Sequence, residues 1–366
     1  MTFDSVSLIT KAMICEGKGK PLVLNEITLP PMKETMVECD VLYCGLCHTD
    51  IHMRDNDWGI SNYPMVAGHE GVGRVRHVGS SVKTLQVGDV VGITWIRDSC
   101  ASCKYCLQGR ENVCERGYQG TYLGLAAGPW GTQQTNEYGG CFSQVTRIEE
   151  KFAFKLPEGL PMEVACPLLC GGGTVFEAVV NHVECGTRVA VASIGGLGTA
   201  AIKFAKSFGA HVTALSRGDA KKEKCLGVGA DEYAGCLGDP DAMAKLAGKF
   251  DIIIDTSPVN ADVAPFMAML KFNGTYCRVG IPPATDMTFS FDYIPLIFSQ
   301  KKISGSVVTG TTNMARMLQL AKDELKTYKD TDDWTTEVVP FEQVNEAMAK
   351  LSSGQNGNTY RYLLKW

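Results

Sequence analysis

No run of about 18 uncharged apolar residues occurs in this sequence, and its opening, MTFDSVSLITKAMICEGKGK, lacks the apolar core of a secretion signal. Neither a membrane-spanning nor an exported protein is expected, and the chain reads as soluble and cytosolic. Basic charge is also scarce. Lys and Arg number 35 against 40 Asp and Glu, a net charge of −5, so no global field draws the chain to nucleic acid or to an anionic membrane. No period of about 20 to 50 residues recurs, which excludes solenoids and propellers. Charged residues make up only 20%, too few for a largely disordered chain when 45% are hydrophobic. At roughly 100 to 200 residues per domain, 366 residues predict two or three domains. What remains is a globular protein with a small-molecule partner.

Cysteine, by contrast, is plentiful. There are fifteen, an odd number that cannot all pair, and in a reducing compartment such an excess points to metal or reactive thiols. Cys100, Cys103, Cys106 and Cys114 follow the spacing C-x2-C-x2-C-x7-C. A loop of this kind wraps a tetrahedral ion with each sulfur about 2.3 Å from it. Independent buried thiols would explain the same residues, but SCASCKYC is too polar to be core. Four sulfurs leave no open position, so the expected role is a structural zinc, with an iron–sulfur cluster as the alternative. Cys15, Cys39, Cys185, Cys225, Cys236 and Cys277 have no such setting and read as small buried residues.

Texture divides the chain. Up to about Lys155 short β-branched runs alternate with glycine, as in EGVGRVRHVG (70–79) and VGDVVGITWI (87–96). From Pro161 a helical stretch leads to the strand RVAVAS (188–193), a glycine turn, a helix over 199–209 and the strand HVTALS (211–216). A Lys-rich helix (220–226), the strand DIIIDT (251–256), a helix near 261–271 and the strand GTYCRVG (274–280) follow. Continuous apolar strands alternating with helices describe a doubly wound parallel sheet. Beyond Ser304 the texture is mixed, with a helix near 313–325 and a closing strand, TYRYLLKW. An α/β domain inserted into a β-rich domain built from both chain ends is the simplest arrangement.

A second constellation is C-G-L-C-H-T-D (44–50) followed by G-H-E (68–70). A catalytic zinc needs about three protein ligands and an exchangeable position. Cys47 and His69 would supply two, although a histidine near glycines also serves as an ordinary hydrogen-bonded residue. These segments, with NDWGISNYPMVAGHE (56–70), the four-cysteine loop, PLLCGGGTV (167–175) and DTSPV (255–259), resemble the zinc-dependent medium-chain alcohol dehydrogenases. The likeness is closest to the cinnamyl alcohol dehydrogenase branch and its aldehyde-reductase relatives, from about residue 12 to the C-terminus. It implies a GroES-like catalytic domain over 1–168 and 307–366 enclosing a Rossmann-type domain over 169–306. It also implies two zinc ions per subunit, the catalytic one held by Cys47, His69 and Cys170, with Glu70 a ligand in some resting states. Cys166 lies four residues before Cys170 and would share its face in a helix. A homodimer is implied as well.

RVAVAS runs into SIGGLG and then a helix, the setting of a dinucleotide fingerprint. Gly195 admits the pyrophosphate, Gly198 allows close helix packing, and the helix N-terminus favours phosphate charge. Ser193 replaces the first glycine, and if that position needs φ > 0 it costs on the order of 1 kcal/mol. Where an NAD enzyme places an acid at the end of the second strand, this chain has Ser216 and Arg217, with Lys221 one turn on. A hydroxyl and a guanidinium fork suit a 2′-phosphate, so NADP(H) is expected. Asp219 would serve NAD but lies past the strand end. The resemblance adds His48, Thr174, Gly196 and Leu197 to the cofactor contacts.

In the resembled family a hydroxyl beside the metal passes the proton through the cofactor ribose to a surface histidine, roles that fall here on Thr49 and His52. Asp50 is expected to orient ligands, and His77, His182 and His211 have no functional reading. By position in the family, Met53, Trp58, Ile60, Trp95, Gln119 and Val307 should line the substrate pocket. Two tryptophans offer flat apolar walls for an aromatic or medium-chain aldehyde. Gln119 stands where cinnamyl enzymes commonly carry tryptophan, which argues against narrow commitment to cinnamaldehydes. The expected activity is reversible, NADPH-dependent reduction of aldehydes to primary alcohols. An NAD-dependent polyol or secondary-alcohol dehydrogenase, a zinc-free quinone reductase and a non-catalytic zinc-binding interaction protein are the alternatives.

Overall fold

A computed structural model describes residues 7–122, 139–260, 262–288, 290–324, 336–353 and 361–366. The chain divides into two compact units. One runs to Cys170 and resumes at Thr309; the other spans Gly171–Val308.

The first unit is built mainly on antiparallel strands, with Thr336–Pro340 and Arg361–Lys365 paired in parallel. Its seven-stranded sheet follows the order Ala153–Lys155, Val90–Ile93, Gly71–Val78, Met36–Leu46, Arg361–Lys365, Thr336–Pro340, with Val145–Glu149 also paired to Met36–Leu46. The eleven-residue strand Met36–Leu46 is the hub, and its register shifts at Glu38/Cys39 and at Val41/Tyr43 bend it. Because Met36–Leu46 and Gly71–Val78 are antiparallel, with Cys44 opposite Gly71, the end of one strand lies beside the start of the other. That juxtaposition places Cys47 next to His69 and Glu70. The C-terminal strand pairs Tyr362 with Leu46 and brings Arg361 to the same end.

The second unit holds a parallel sheet in the order Glu232–Ala234, His211–Leu215, Arg188–Ala192, Phe250–Asp255, Leu270–Arg278, Lys302–Gly305. Helices cover both faces of such a sheet, so its central strands are apolar throughout. Val189, Ala190, Val191, Ala192, Ile253 and Ile254 are all fully buried. The doubly wound sheet and the GroES-like texture expected from sequence are both present.

Several details differ from the sequence reading. The helix expected over 199–209 begins at Gly196 and ends at Ser207, since the turn glycines are already helical. The Lys-rich helix spans Lys222–Gly227. Of the stretch near 261–271, residue 261 lies outside the described residues; the helix is Ala264–Met269, and Leu270 already pairs with Phe250 as strand. The short strands Glu232–Ala234 and Lys302–Gly305 were not foreseen, being too brief for an apolar period. The helix near 313–325 is Thr311–Asp323, and the closing strand is Arg361–Lys365; residues 325, 359 and 360 lie outside the described ones. Cys185, expected to be buried, is exposed in the turn after the helix Gly173–His182. The stretch Met162–His182 is long and apolar enough to cross a membrane by length and composition, but it carries Glu163 and Glu177, and 72% of its window is buried inside the protein, as in a core helix.

Candidate functional site

Cys47, His69, Glu70 and Cys170 each present one ligand atom, and these atoms all lie within 4.8 Å of one another. Cys47 caps the helix His48–Asp55, while His69 and Glu70 precede the strand that starts at Gly71. The Gly45 N–H donates to the Glu70 carbonyl at 3.0 Å. A Cβ on Gly45 would meet Glu70 Oε2 at 2.1 Å, so only glycine fits. Cys170 enters through a π-helical turn, Leu168–Gly172, that follows the helix Met162–Pro167. Pro167 has no N–H to continue the α-helical ladder, and the widened turn takes Cys170 off the face of Cys166. Cys166 is fully buried and lies outside the cluster.

The chemistry of these donors suits a zinc ion. His69 Nε2 is buried with no hydrogen-bond partner, as are both carboxylate oxygens of Glu70, a costly arrangement unless an ion satisfies them. Arg361 Nη2 lies 3.2 Å from Glu70 Oε1 as an ion pair. Burial raises the Glu70 carboxyl to about 8, against the pull of Arg361. Burial alone would depress His69, but the charge and hydrogen bonding of Asp50, with Cys47, raise it to about 10. A hydrogen bond with Cys170, aided by Arg361 and His69, holds the Cys47 thiol well below its ordinary value despite burial. Cys47 is therefore disposed to be a thiolate, the form that binds metal.

Around this cluster, Asp50 is fully buried. Its carboxylate accepts the Cys47 N–H and the Gly68 N–H, each at 2.9 Å, and the Tyr122 hydroxyl. Thr49 Oγ1 is 3.6 Å from the Cys47 sulfur. His52 Nδ1 meets Asp57 Oδ2 at 2.7 Å and the His52 ring stacks on Trp58 at 5.0 Å. Trp95 stands edge-on to His69, with centroids 5.5 Å apart. Trp95 is thus joined to the ligand cluster and Trp58 to His52. Gln119 lies in the strand Tyr118–Gly120 opposite Asp98. Met53 is buried, with Ser61 hydrogen-bonded to its carbonyl at 2.7 Å; Ile60 is half-buried and His48 exposed. Val307 belongs to the second unit and is exposed. Sequence reasoning missed Arg361, Asp57 and Tyr122. Only Asp57, five residues from His52 at the helix end, left a local signal.

The sulfurs of Cys100, Cys103, Cys106 and Cys114 also lie within 4.8 Å of one another. Four ligands about 2.3 Å from a tetrahedral ion stand about 3.8 Å apart, and Cys100 Sγ is 3.8 Å from Cys106 Sγ. Backbone N–H groups of Ser102 and Cys103 draw the Cys100 thiol down to about 6, which favours thiolate. Burial pushes Cys106 up to about 12. The cluster fits a structural zinc.

In the second unit Ser193 adopts φ 71°, the left-handed conformation glycine would take without cost. Thr256 Oγ1 donates to its carbonyl at 2.6 Å, and its N–H reaches the Leu215 carbonyl at 3.0 Å. Nothing lies within 4 Å of a Cβ built on Gly195, whereas one on Gly198 would meet the Ser193 carbonyl at 2.7 Å. The first glycine thus leaves open space at the helix start and the second lets helix and strand touch. Lys221 Nζ donates to the Ile194 carbonyl at 2.5 Å, so the turn and the residues after Leu215 meet. Ser216 is buried and Arg217 exposed. Thr174 accepts Ser306 Oγ at its carbonyl, 2.9 Å away, and Gly196 and Leu197 form the first helical turn.

Residues 33–158 match the family model of the alcohol dehydrogenase GroES-like domain, and residues 196–323 that of the zinc-binding dehydrogenases. The chain is 38% identical over 313 residues to a probable formaldehyde dehydrogenase of Bacillus subtilis, covering 85% of each. It is 38% identical over 318 residues to a mannitol dehydrogenase of Petroselinum crispum, covering 86% of this chain and 89% of the relative. A cinnamyl alcohol dehydrogenase structure from Sorghum bicolor superposes with a TM-score of 0.85 at 31% identity, over 98% of both chains. One from Helicobacter pylori, complexed with NADP(H), gives 0.84 at 27% identity over 98% of this chain and 99% of the other. The chain belongs to the zinc-dependent medium-chain alcohol dehydrogenases, in the cinnamyl alcohol dehydrogenase-like branch.

Proposed function

We propose that the protein is a zinc-dependent reductase that uses NADPH to convert aromatic or medium-chain aldehydes to primary alcohols, reversibly. The first unit would be the catalytic part and the second the dinucleotide-binding part. The observation that carries the reading is the donor set of buried Cys47 and His69 with half-buried Cys170, with an unpartnered imidazole nitrogen beside Trp95. Zinc held there would supply Lewis-acid polarisation of the substrate oxygen, and NADPH the hydride. Glu70, paired with Arg361, is a reserve ligand. Thr49, next to the Cys47 sulfur, is placed to take or give the alcohol proton. Asp57 fixes the tautomer of His52, leaving its other ring nitrogen to exchange a proton with water. Trp95 and Trp58 supply apolar walls.

NADPH is supported by the absence of an acid at Ser216, by Arg217 beside it, and by Lys221 at the turn. The Helicobacter pylori relative's complex with NADP(H) agrees. A second zinc at the four-cysteine loop would be structural. All fifteen cysteines are free, which suits a reducing cytosol.

The test is kcat/KM for NADPH and NADH with benzaldehyde, cinnamaldehyde and formaldehyde, and for NADP+ and NAD+ with benzyl alcohol, mannitol and 2-hydroxy acids. Apolar aldehydes with NADPH should lead. Arg217→Ala should narrow the cofactor preference by roughly ten- to a hundred-fold, the equivalent of a charge-assisted contact of about 1.5 to 3 kcal/mol. Equal kcat/KM for the two cofactors would contradict the NADPH assignment. The mannitol dehydrogenase relative favours a second reading, an NAD-dependent polyol dehydrogenase; mannitol outperforming every aldehyde would establish it.

A further inference from the structure

We propose that Tyr122 is a positioning residue for the metal ligand His69, fixing which ring nitrogen carries the proton; this rests on the reading of Cys47, His69 and Cys170 as ligands. Tyr122 follows the strand Tyr118–Gly120 and is 2% exposed. Its hydroxyl donates to Asp50 Oδ1 and lies 2.5 Å from His69 Nδ1. A phenol has one proton. With that proton given to Asp50, the Tyr122 oxygen can only accept from His69, so Nδ1 must carry an N–H and Nε2 is the nitrogen that yields its lone pair to an ion. Nε2 is the buried nitrogen without a protein partner, the one left for the ion. Asp50 Oδ1 stands farther from Nδ1, at 3.5 Å, so the phenol oxygen is the nearer and better partner of the imidazole. The same carboxylate holds the N–H groups of Cys47 and Gly68 at 2.9 Å. One buried acid therefore ties both ligand segments together, and Tyr122 joins the imidazole to it. The Tyr122 ring packs on Trp95 at 5.1 Å and on His69 at 5.5 Å, which fixes the phenol's approach.

Tyr122→Phe removes the hydroxyl and keeps the ring. Zinc affinity would be measured by chelator competition on the holoprotein with elemental analysis, the four-cysteine site serving as internal reference. The expected result is a ten- to a hundred-fold weaker ion at the Cys47 site, as for other oriented ligands, with the four-cysteine site unchanged. Affinity within twofold of the unmodified protein would overturn the proposal. A second measurement needs no variant: nitrogen-15 spectra of histidine-labelled, zinc-loaded protein should show His69 with a protonated Nδ1 and an unprotonated Nε2, and the reverse would overturn it. If the unmodified protein holds no ion at the Cys47 site, the functional reading itself fails and this inference with it.

Discussion

At the scale of single residues, Ser193 is the point where the chain departs from the usual dinucleotide turn and carries the cost. A side chain at φ 71° is strained by roughly 1 to 2 kcal/mol. Ser193→Gly would relieve that strain, while the freer unfolded chain takes back about 0.4 to 1 kcal/mol. The net gain should raise Tm by about 1 to 3 °C in a calorimetric scan. A fall in Tm would show that the serine side chain makes a stabilising contact larger than its strain. The two cysteine sets should separate in the same way. Cys103→Ser is expected to lower stability and solubility, whereas Cys47→Ser should abolish turnover in a protein that still folds. Elemental analysis of active protein should give two zinc ions per subunit; one or none would contradict that assignment.

At the scale of elements, the hub strand Met36–Leu46 buries a carboxylate where cations converge from both neighbours. Glu38 is 3% exposed, and its register partners are His77 on one side and Arg147 on the other. Arg147 Nη2 approaches at 2.6 Å, His77 Nδ1 at 2.9 Å and Arg76 Nε at 3.2 Å. His77, without a functional reading in the sequence, is thus a cross-strand partner. Burial would raise the Glu38 pKa, but the bonds to His77 and Arg147 outweigh it and the net shift is downward. A depressed carboxylate stabilises the fold above its unfolded pKa and loses that contribution as pH falls through the folded value. Glu38→Gln, which leaves Arg147 without its counter-charge, should cost about 3 kcal/mol at neutral pH. In urea titrations the gap between the two proteins should shrink below about pH 4.5. A gap that does not change with pH would contradict the ion-pair account.

At the scale of the whole molecule, one surface is unusually apolar. The helix Tyr293–Phe298 exposes Tyr293 by 70%, Ile294 and Ile297 by 64% and Phe298 by 79%. Beside it the strand Lys302–Gly305 ends the parallel sheet, paired among the described residues only with Leu270–Arg278. An open sheet edge next to exposed apolar side chains is the surface a second copy would cover. We therefore propose a homodimer through this face. Ile297→Glu with Phe298→Glu should shift sedimentation from dimer to monomer. A monomeric unmodified protein, or an unaltered dimer in the double variant, would refute this interface.

Local pattern alone determined much of this protein. The four-cysteine spacing, the strand–turn–helix around SIGGLG and the apolar strands of the parallel sheet are readable because their neighbours in space are neighbours in sequence. Even so, the sequence left open whether Ser193 sits at positive φ, and whether Cys166 or Cys170 faces His69. The first depends on how the Arg188–Ala192 strand meets its helix, the second on a π-helical turn that no side-chain period announces. Arg361 beside Glu70 and Tyr122 between His69 and Asp50 were decided only by tertiary structure. Each arrives through pairing between segments distant in sequence: Tyr362 opposite Leu46 for the arginine, and the strand Ile96–Ser99 against Tyr118–Gly120 for the tyrosine. Strand register is set by the packing of the whole sheet, so residues whose roles depend on it carry no local signature.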